Sequence, residues 1–342
     1  MRISHSGKNT HKECSEKYRL HYIEKLRGQK IFSALFFGSA LDEAFSRLLL
    51  DKKPIKTPEE LLQLDETAEG IFYKHMSNVR RDDGTIVEAS KSPFADYYAS
   101  DFTPELLSDQ AVALLQEYAP DVAVGESVEE AKESVLGFME SCKAHTKAKK
   151  KLSQDDVPVF NYITWLTLVE KGYLMVEAYR NQIMPQIFEV YSIQEKISVK
   201  NEAGDEITGL IDFTASFVQE PGTMYVCDNK TSSKPYKLSD TAESAQLATY
   251  CEYKQTNKAA YVVIEKKVYA KAPVIHTQIL KDVIPEAIFA QTFTEFEEVV
   301  YSINTGAFEK NFKSCFSFGR MCQFYAICKH NNYEGLIKKK ED

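Results

Sequence analysis

The stretch ITGLIDFTASFV at residues 207–218 and the stretch TMYVCD at residues 223–228 decide the fold of this 342-residue chain. Both stretches are short, mostly apolar runs, and a Pro-Gly pair separates them, so they predict neighbouring strands joined by a turn. In the run IFEVYSIQEKISVK at residues 187–200, apolar and polar residues alternate. Together the three runs predict a three-stranded meander.

Two aspartates interrupt these apolar strands. Asp212 lies between Ile211 and Phe213, and Asp228 ends the next strand. Charged residues in such strands are costly to bury unless they are paired or bind a metal, and two adjacent carboxylates repel each other. Lys230 has the side-chain parity of Asp228, so we expect it on the same face. Carboxylates, Mg²⁺ and an ammonium suit phosphodiester hydrolysis; the alternative is a salt bridge that caps the strand end.

A helix over residues 240–256 and a strand over residues 259–264 are predicted next. Asp240 with Glu243 fits a capping box at the start of this helix. A strand–helix–strand unit of this kind normally pairs its strands in parallel. Gln246 and Tyr250 are four residues apart, so they share a helix face and are expected to reach the same edge of the sheet.

These motifs resemble the core of the PD-(D/E)XK nuclease superfamily, and specifically its RecB-like branch. GLIDF resembles the segment of that branch in which an aspartate follows a G-x-[IL] lead-in. CDNK resembles its [DE]-x-K element, and QLATY resembles its Q-x-x-x-Y element. The resemblance implies a set of active-site residues: the metal ligands Asp212 and Asp228, the carbonyl of Asn229, the catalytic Lys230, and the branch-specific Gln246 and Tyr250.

One position departs from the pattern of the branch. RecB-like proteins commonly have G-x-x-x-H in the first helix, with the histidine as a metal ligand, whereas Gly38 to Asp42 reads GSALD. We predict that Asp42 takes the place of this histidine and shifts metal preference from Mn²⁺ toward Mg²⁺, because carboxylate oxygen suits Mg²⁺. In the alternative, Asp42 is a solvent-facing helix residue. Glu195, on the strand before Asp212, offers another carboxylate.

The cysteines predict a second site. Cys315, Cys322 and Cys328 are separated by six and five residues, and Cys14 stands near the other end of the chain. Four thiolates hold either zinc or an iron–sulfur cluster, and structural zinc more often uses closer pairs; the alternative is inert buried thiols. The spacing resembles the [4Fe–4S] staple of RecB-like, AddB-like and CRISPR-associated nucleases, and this resemblance implies a cluster that ties the chain ends together.

The predicted fold class is α/β (α+β), a PD-(D/E)XK restriction-endonuclease-like core whose central mixed sheet is flanked by helices, with a large helical insertion and a C-terminal iron–sulfur staple. We predict one composite nuclease domain. Its segments are an entry segment and first core helix at 1–50, a helical lobe at 51–185, the nuclease sheet and helix at 186–285, and a C-terminal helix with the cysteine segment at 286–342. Four lobe aromatics are candidates for stacking on DNA bases, although aromatics at helical spacing are more often core: Tyr97, Tyr98, Trp165 and Tyr173.

Charge and hydropathy limit the function further. The net charge of −8 gives no overall positive field, so DNA must bind at a local basic site. No apolar run approaches the ~20 residues that span a bilayer, and the N-terminus lacks the apolar stretch of a signal peptide. We therefore expect an intracellular protein with no membrane association. The resemblance to phage-encoded and CRISPR-associated RecB-like exonucleases implies a cytoplasmic protein of a prokaryote or phage.

The function predicted from the resemblance is a Mg²⁺- or Mn²⁺-dependent DNA exonuclease that acts on DNA ends or single strands. Its setting would be DNA recombination, repair, phage replication or CRISPR-type DNA processing, with DNA as its partner and an unknown recombination or CRISPR-type partner protein. One alternative is a catalytically silent nuclease-fold protein that binds DNA or a recombination partner. A zinc-stapled structural protein is another, but it leaves the carboxylate–lysine set unexplained.

Overall fold

The structure is a computed structural model that describes residues 1–28, 33–80, 86–88, 101–148, 150–201, 203–268, 274–317 and 320–339. The described strands are β1 Arg2–Ser4, β2 Leu26–Gly28, β3 Asn78–Arg80, β4 Ile86–Glu88, β5 Ile187–Lys200, β6 Glu206–Phe217, β7 Glu220–Ser232, β8 Lys258–Glu265, β9 Thr277–Val283, β10 Phe316–Ser317, β11 Arg320–Met321 and β12 Leu336–Lys338.

The described helices are α1 His5–Glu13, α2 Ser15–Tyr18, α3 Ser33–Leu50, α4 Pro58–Gln63, α5 Ala68–Ser77, α6 Asp109–Tyr118, α7 Val128–Lys147, α8 Asp156–Ala178, α9 Leu238–Ala242, α10 Ala245–Lys254, α11 Glu286–Asn304 and α12 Tyr325–His330. Short 3₁₀ and π turns supplement them. Among these helices, none combines the length and the apolar character needed to cross a membrane.

A mixed sheet forms the centre of the fold. In the described part of the chain it joins six strands in the order β1-β6-β7-β8-β9, with β5 also paired to β6. The antiparallel β5, β6 and β7 confirm the predicted meander. β7 and β8 are parallel, as the strand–helix–strand pattern predicts. β7 extends past its predicted end at Asp228, because its ladder with β8 continues to the pair Ser232↔Glu265.

The connection between β7 and β8 differs from the prediction. A single helix over residues 240–256 is wrong: α9 and α10 are separate, and Ser244 caps α10 by accepting the Leu247 N–H at 3.1 Å. Asp240 lies inside α9, where its Oδ2 accepts the Lys237 N–H at 2.7 Å. The predicted capping box is therefore also wrong, because serine is the residue that satisfies the free N–H groups at the start of α10.

One large hydrophobic core joins the helical lobe to the sheet. It contains buried side chains from α3, α5, α8 and the inner face of β5 to β8. Phe45 of α3 stacks on Tyr179 with ring centroids 4.2 Å apart. Gly172 lets α8 approach α5, because a Cβ at this position would lie 1.9 Å from the Phe72 ring. The lobe therefore packs directly on the elements that carry the predicted site.

The lobe aromatics have mostly structural surroundings. Trp165 is buried, and its Nε1 donates to the carbonyl of Met76 at 2.9 Å, so its prediction as a base-stacking residue is wrong. Tyr173 packs edge-on against Phe72 with centroids 5.8 Å apart. Tyr97 and Tyr98 lie outside the described residues. The alternative that lobe aromatics belong to the core holds for Trp165, because its large apolar ring gains most from burial.

Candidate active site

Strands β6 and β7 separate at one end of their ladder, and the fork between them holds the predicted aspartates. The pair Phe213↔Cys227 is the last before the strands part, and β7 continues beside β8. Asp212 and Asp228 are the next residues on the two strands, so they lie opposite each other. The Asp212 side chain replaces the missing ladder acceptor, because its Oδ2 accepts the Asn229 N–H at 2.7 Å.

The acidic groups at this fork raise one another's pKa values. Burial raises the pKa of Asp212 well above its usual range, and the charges of Asp228 and Asp42 raise it further. The pKa of Asp42 rises to about 6, mainly through burial, with Asp228 adding to the effect. Burial also raises the pKa of Asp228, against the opposing charge of Lys230. We call this group of Asp42, Asp212, Asp228 and Lys230 the carboxylate fork.

Lys230 is held by a short chain of polar contacts. Its Nζ lies 2.5 Å from Asp228 Oδ2 and donates to Gln246 Oε1 at 3.1 Å. Gln246 Nε2 donates to Asp228 Oδ1 at 2.8 Å and contacts the Tyr250 hydroxyl at 2.9 Å. Gly209 leaves the space for Tyr250, because a Cβ there would lie 2.5 Å from the tyrosine ring. The predicted residues of β6, β7 and α10 therefore meet at one place.

An irregular residue in β5, Gln194, holds the Asp42 side chain through a hydrogen bond. Gln194 has a φ of +50°, a left-handed conformation inside a strand, and it lies between the ladder pairs Ile193↔Phe213 and Glu195↔Ile211. Its Nε2 donates to Asp42 Oδ2 at 2.8 Å, so the solvent-facing alternative for Asp42 is wrong. Glu195 instead forms an ion pair with Lys254 at 2.5 Å. Its prediction as an additional site carboxylate is wrong, because the strained residue before it takes the position toward the fork.

Comparison with known protein families agrees with this geometry. The family model of the PD-(D/E)XK nuclease superfamily matches residues 2–329. The chain belongs to this superfamily. Membership confirms the predicted fold and implies metal-dependent hydrolysis of phosphodiester bonds. No curated protein matches the chain.

The divalent cation used in the PD-(D/E)XK superfamily suits the chemistry of the carboxylate fork. The carboxylates of Asp42, Asp212 and Asp228 and the carbonyl of Asn229 are oxygen donors, which Mg²⁺ prefers. Asp228 Oδ2 is buried and makes no hydrogen bond to any described residue, although it contacts the Lys230 ammonium. Within the described ranges, no three His, Cys, Asp or Glu side chains are already grouped as a metal site. Gln194 donates a hydrogen bond to Asp42, and the Asn229 N–H donates one to Asp212. A bound cation would replace these donors at the carboxylate oxygens.

His5 is a site neighbour that the sequence analysis missed. It lines a cavity of about 410 Å³, and Gln246 lines both this cavity and the one that contains the carboxylate fork. Burial, helped by the charges of nearby lysines including Lys230, lowers the pKa of His5 to about 4, so its ring is neutral at neutral pH. Its Nδ1 is buried and makes no hydrogen bond to a described residue. The sequence analysis gave His5 no role, and the pairing of β1 with β6 brings it here.

The four predicted cysteines of this PD-(D/E)XK chain gather at one corner, which we call the cysteine corner: Cys14, Cys315, Cys322 and Cys328. Burial raises the pKa of Cys315, Cys322 and Cys328, and the nearby Cys14 raises it further in all three. The Sγ of Cys14 accepts the Asn311 N–H at 3.4 Å, and the Cys322 N–H donates to the Cys315 carbonyl at 2.7 Å. In the described part of the chain, the thiols are near one another but are not arranged as a group that could hold a metal ion. The iron–sulfur cluster and the zinc alternative therefore stay predictions.

Proposed function

We propose that this chain is a metal-dependent exonuclease that hydrolyses phosphodiester bonds at DNA ends or in single strands. The observation that carries the proposal is the meeting of three acidic side chains with the half-buried Lys230 ammonium, 2.5 Å from Asp228, at the fork of β6 and β7. A salt bridge that caps a strand end needs one carboxylate. Two more half-buried carboxylates beside it are costly unless they serve a cation.

Each residue has a distinct role in this proposal. Asp42, Asp212 and Asp228, with the Asn229 carbonyl, would hold Mg²⁺ or Mn²⁺, which when bound lowers the pKa of a water and neutralises phosphate charge. The Lys230 ammonium stabilises the negative charge that develops on the phosphate oxygens. Gln246 fixes Lys230 through Oε1 and Asp228 through Nε2, at 3.1 Å and 2.8 Å. Gln246 therefore sets the distance between the cation position and the ammonium.

The size of the site favours a single strand. The cavity that contains the carboxylate fork has a volume of about 530 Å³, which is in the range of small-molecule pockets. A DNA duplex is larger than such a cavity, since its major groove alone is about 12 Å wide. A cavity of this size accepts a nucleotide of one strand more readily than it accepts a duplex, and this supports action at ends or on unpaired DNA.

The test uses one DNA sequence in several forms. Linear single-stranded, linear double-stranded and covalently closed circular single-stranded DNA are incubated with Mg²⁺ or Mn²⁺, with a label at either end. We expect short products from linear DNA, no cutting of the circle, and no products with Asp228→Ala. Cleavage of the circle would contradict the exonuclease assignment. DNA binding without any cleavage would favour the catalytically silent alternative.

We also propose that the cysteine corner holds a [4Fe–4S] cluster rather than zinc. The support is the gathering of four cysteines from the two ends of the chain, together with backbone N–H groups directed at the Cys14 sulfur at 3.4 Å. Hydrogen bonds to sulfur ligands tune such clusters. Iron and acid-labile sulfide in the purified protein, with broad violet absorbance, are expected; stoichiometric zinc with no iron would overturn this proposal.

A further inference from the structure

A second cavity adjoins the carboxylate fork on the side of the helical lobe. Its volume is about 500 Å³, and Ala34 and Lys266 line both this cavity and the one that contains the fork. Residues of α3, residues of α8 and the segment that follows β8 surround it. A strand that occupies the fork therefore has a neighbouring space within reach, without leaving the protein surface.

The most unusual residue of this cavity is Lys171. It projects from α8 beside Leu168, which also lines the cavity, and only 7% of it is exposed. Among the described residues, nothing lies within hydrogen-bond or ion-pair distance of its ammonium. Burial lowers the pKa of Lys171, and the charges that act on it come from Asp101, Lys266 and Glu105 around the same cavity. A buried ammonium without a direct partner is costly.

Charged side chains of both signs line the cavity beside Lys171: Lys266 and Lys267, with Asp101 and Glu105. The Lys171 ammonium therefore borders a polar space next to a predicted phosphodiesterase site. An anionic ligand in this space would give the buried ammonium the direct partner that no described residue supplies.

We propose that this cavity binds a phosphate group of the DNA strand that is being cut, with Lys171 as its principal contact. The proposal rests on the proposed function, because the shared wall at Ala34 and Lys266 places the bound phosphate along the same strand as the cleaved bond. The phosphate is either the terminal phosphate of a strand end or an internal phosphate of the backbone. Both offer the same chemistry to Lys171, and the experiment separates them.

The first arm of the test needs no catalysis. The melting temperature of the full chain is measured without divalent metal, in rising inorganic phosphate against chloride of equal ionic strength. We expect phosphate to stabilise wild type and Lys74→Met alike, and to add no more than chloride does to Lys171→Met. Lys74 is a matched control because its side chain is 71% exposed on α5. Methionine keeps the apolar stem of Lys171 and removes a buried charge, so the variant is expected to fold.

The second arm uses cleavage of one oligonucleotide with a 5′-phosphate, a 3′-phosphate or no terminal phosphate. A terminal phosphate site predicts that wild type prefers one phosphorylated form and that Lys171→Met loses this preference. An internal site predicts that Lys171→Met raises KM for all forms, by roughly tenfold. Equal phosphate stabilisation in wild type and Lys171→Met, with unchanged KM, would overturn the proposal. If wild type cleaves nothing, the proposed function fails while the melting experiment still decides the phosphate site.

Discussion

The carboxylate fork and the cysteine corner both unite residues from distant parts of the chain, but different forces hold them. The fork lies on a sheet whose inner residues Phe213 and Cys227 are fully buried in an extensive core. The corner has a small core of its own, formed by Leu20, Phe324 and Ile327. Since stability follows buried apolar area, the fork is expected to keep its shape when a polar side chain is removed. The corner is expected to depend on what its thiols bind.

The sharpest test of this contrast removes the polar groups of the fork. Asp212→Ala, Asp228→Ala and Lys230→Ala are each expected to lower DNA cleavage by about 1000-fold, because charge stabilisation at the phosphate is lost. The melting temperature is expected to stay close to that of wild type. Glu195→Gln is the matched control, because Glu195 pairs with Lys254 away from the fork. Wild-type cleavage by either aspartate variant would place the site elsewhere.

The cysteine corner is expected to show the opposite pattern, a loss of stability with cleavage retained. Cys14→Ser and Cys322→Ser are both expected to lose the bound iron and to lower the melting temperature by several degrees, because ligand binding is coupled to folding. Cleavage per folded molecule should remain. Cys142→Ala, in the core of the helical lobe, should keep its full iron content. Iron content and stability like those of wild type in Cys14→Ser would remove this residue from the ligand set.

Asp42 tests how the fork selects its metal. Asp42→Ala is expected to weaken cleavage at limiting Mg²⁺ by roughly 100-fold, because one oxygen donor is lost. Asp42→His should restore cleavage with a larger share of activity in Mn²⁺, since imidazole suits that ion better. Titration of cleavage against each metal measures both effects, with Glu43→Gln as the neighbouring control. A normal Mg²⁺ titration in Asp42→Ala would show that Asp42 is not a ligand.

Gln194 tests whether the strained backbone of β5 serves the fork. Gln194→Gly and Gln194→Ala both remove the hydrogen bond to Asp42 and are expected to weaken metal-dependent cleavage by roughly tenfold. They should differ in stability by about 1 kcal/mol in favour of glycine, because glycine tolerates the left-handed conformation at φ +50°. Urea unfolding measures this difference. Equal stability of the two variants would show that residue 194 is not strained.

The local pattern of the sequence was sufficient for much of the fork. Alternation predicted β5, and short apolar runs bounded by turn residues predicted β6 and β7. The parity of Asp228 and Lys230 placed them on one face, because a strand has a fixed period of two. The helical spacing of Gln246 and Tyr250 predicted their shared face for the same kind of reason. These inferences depend on neighbours within a few residues, where backbone geometry leaves few choices.

Only the tertiary structure decided the contacts that join distant segments. The hydrogen bond from Gln194 to Asp42 connects residues 152 positions apart, and one left-handed residue reversed the expected roles of Gln194 and Glu195. Lys171 shows no sequence signal at all, since a lysine on an apolar helix has the same local pattern whether it ends in solvent or in a cavity. The reason is physical: periodicity fixes which face a side chain takes, while the packing of helices on the sheet fixes what that face meets.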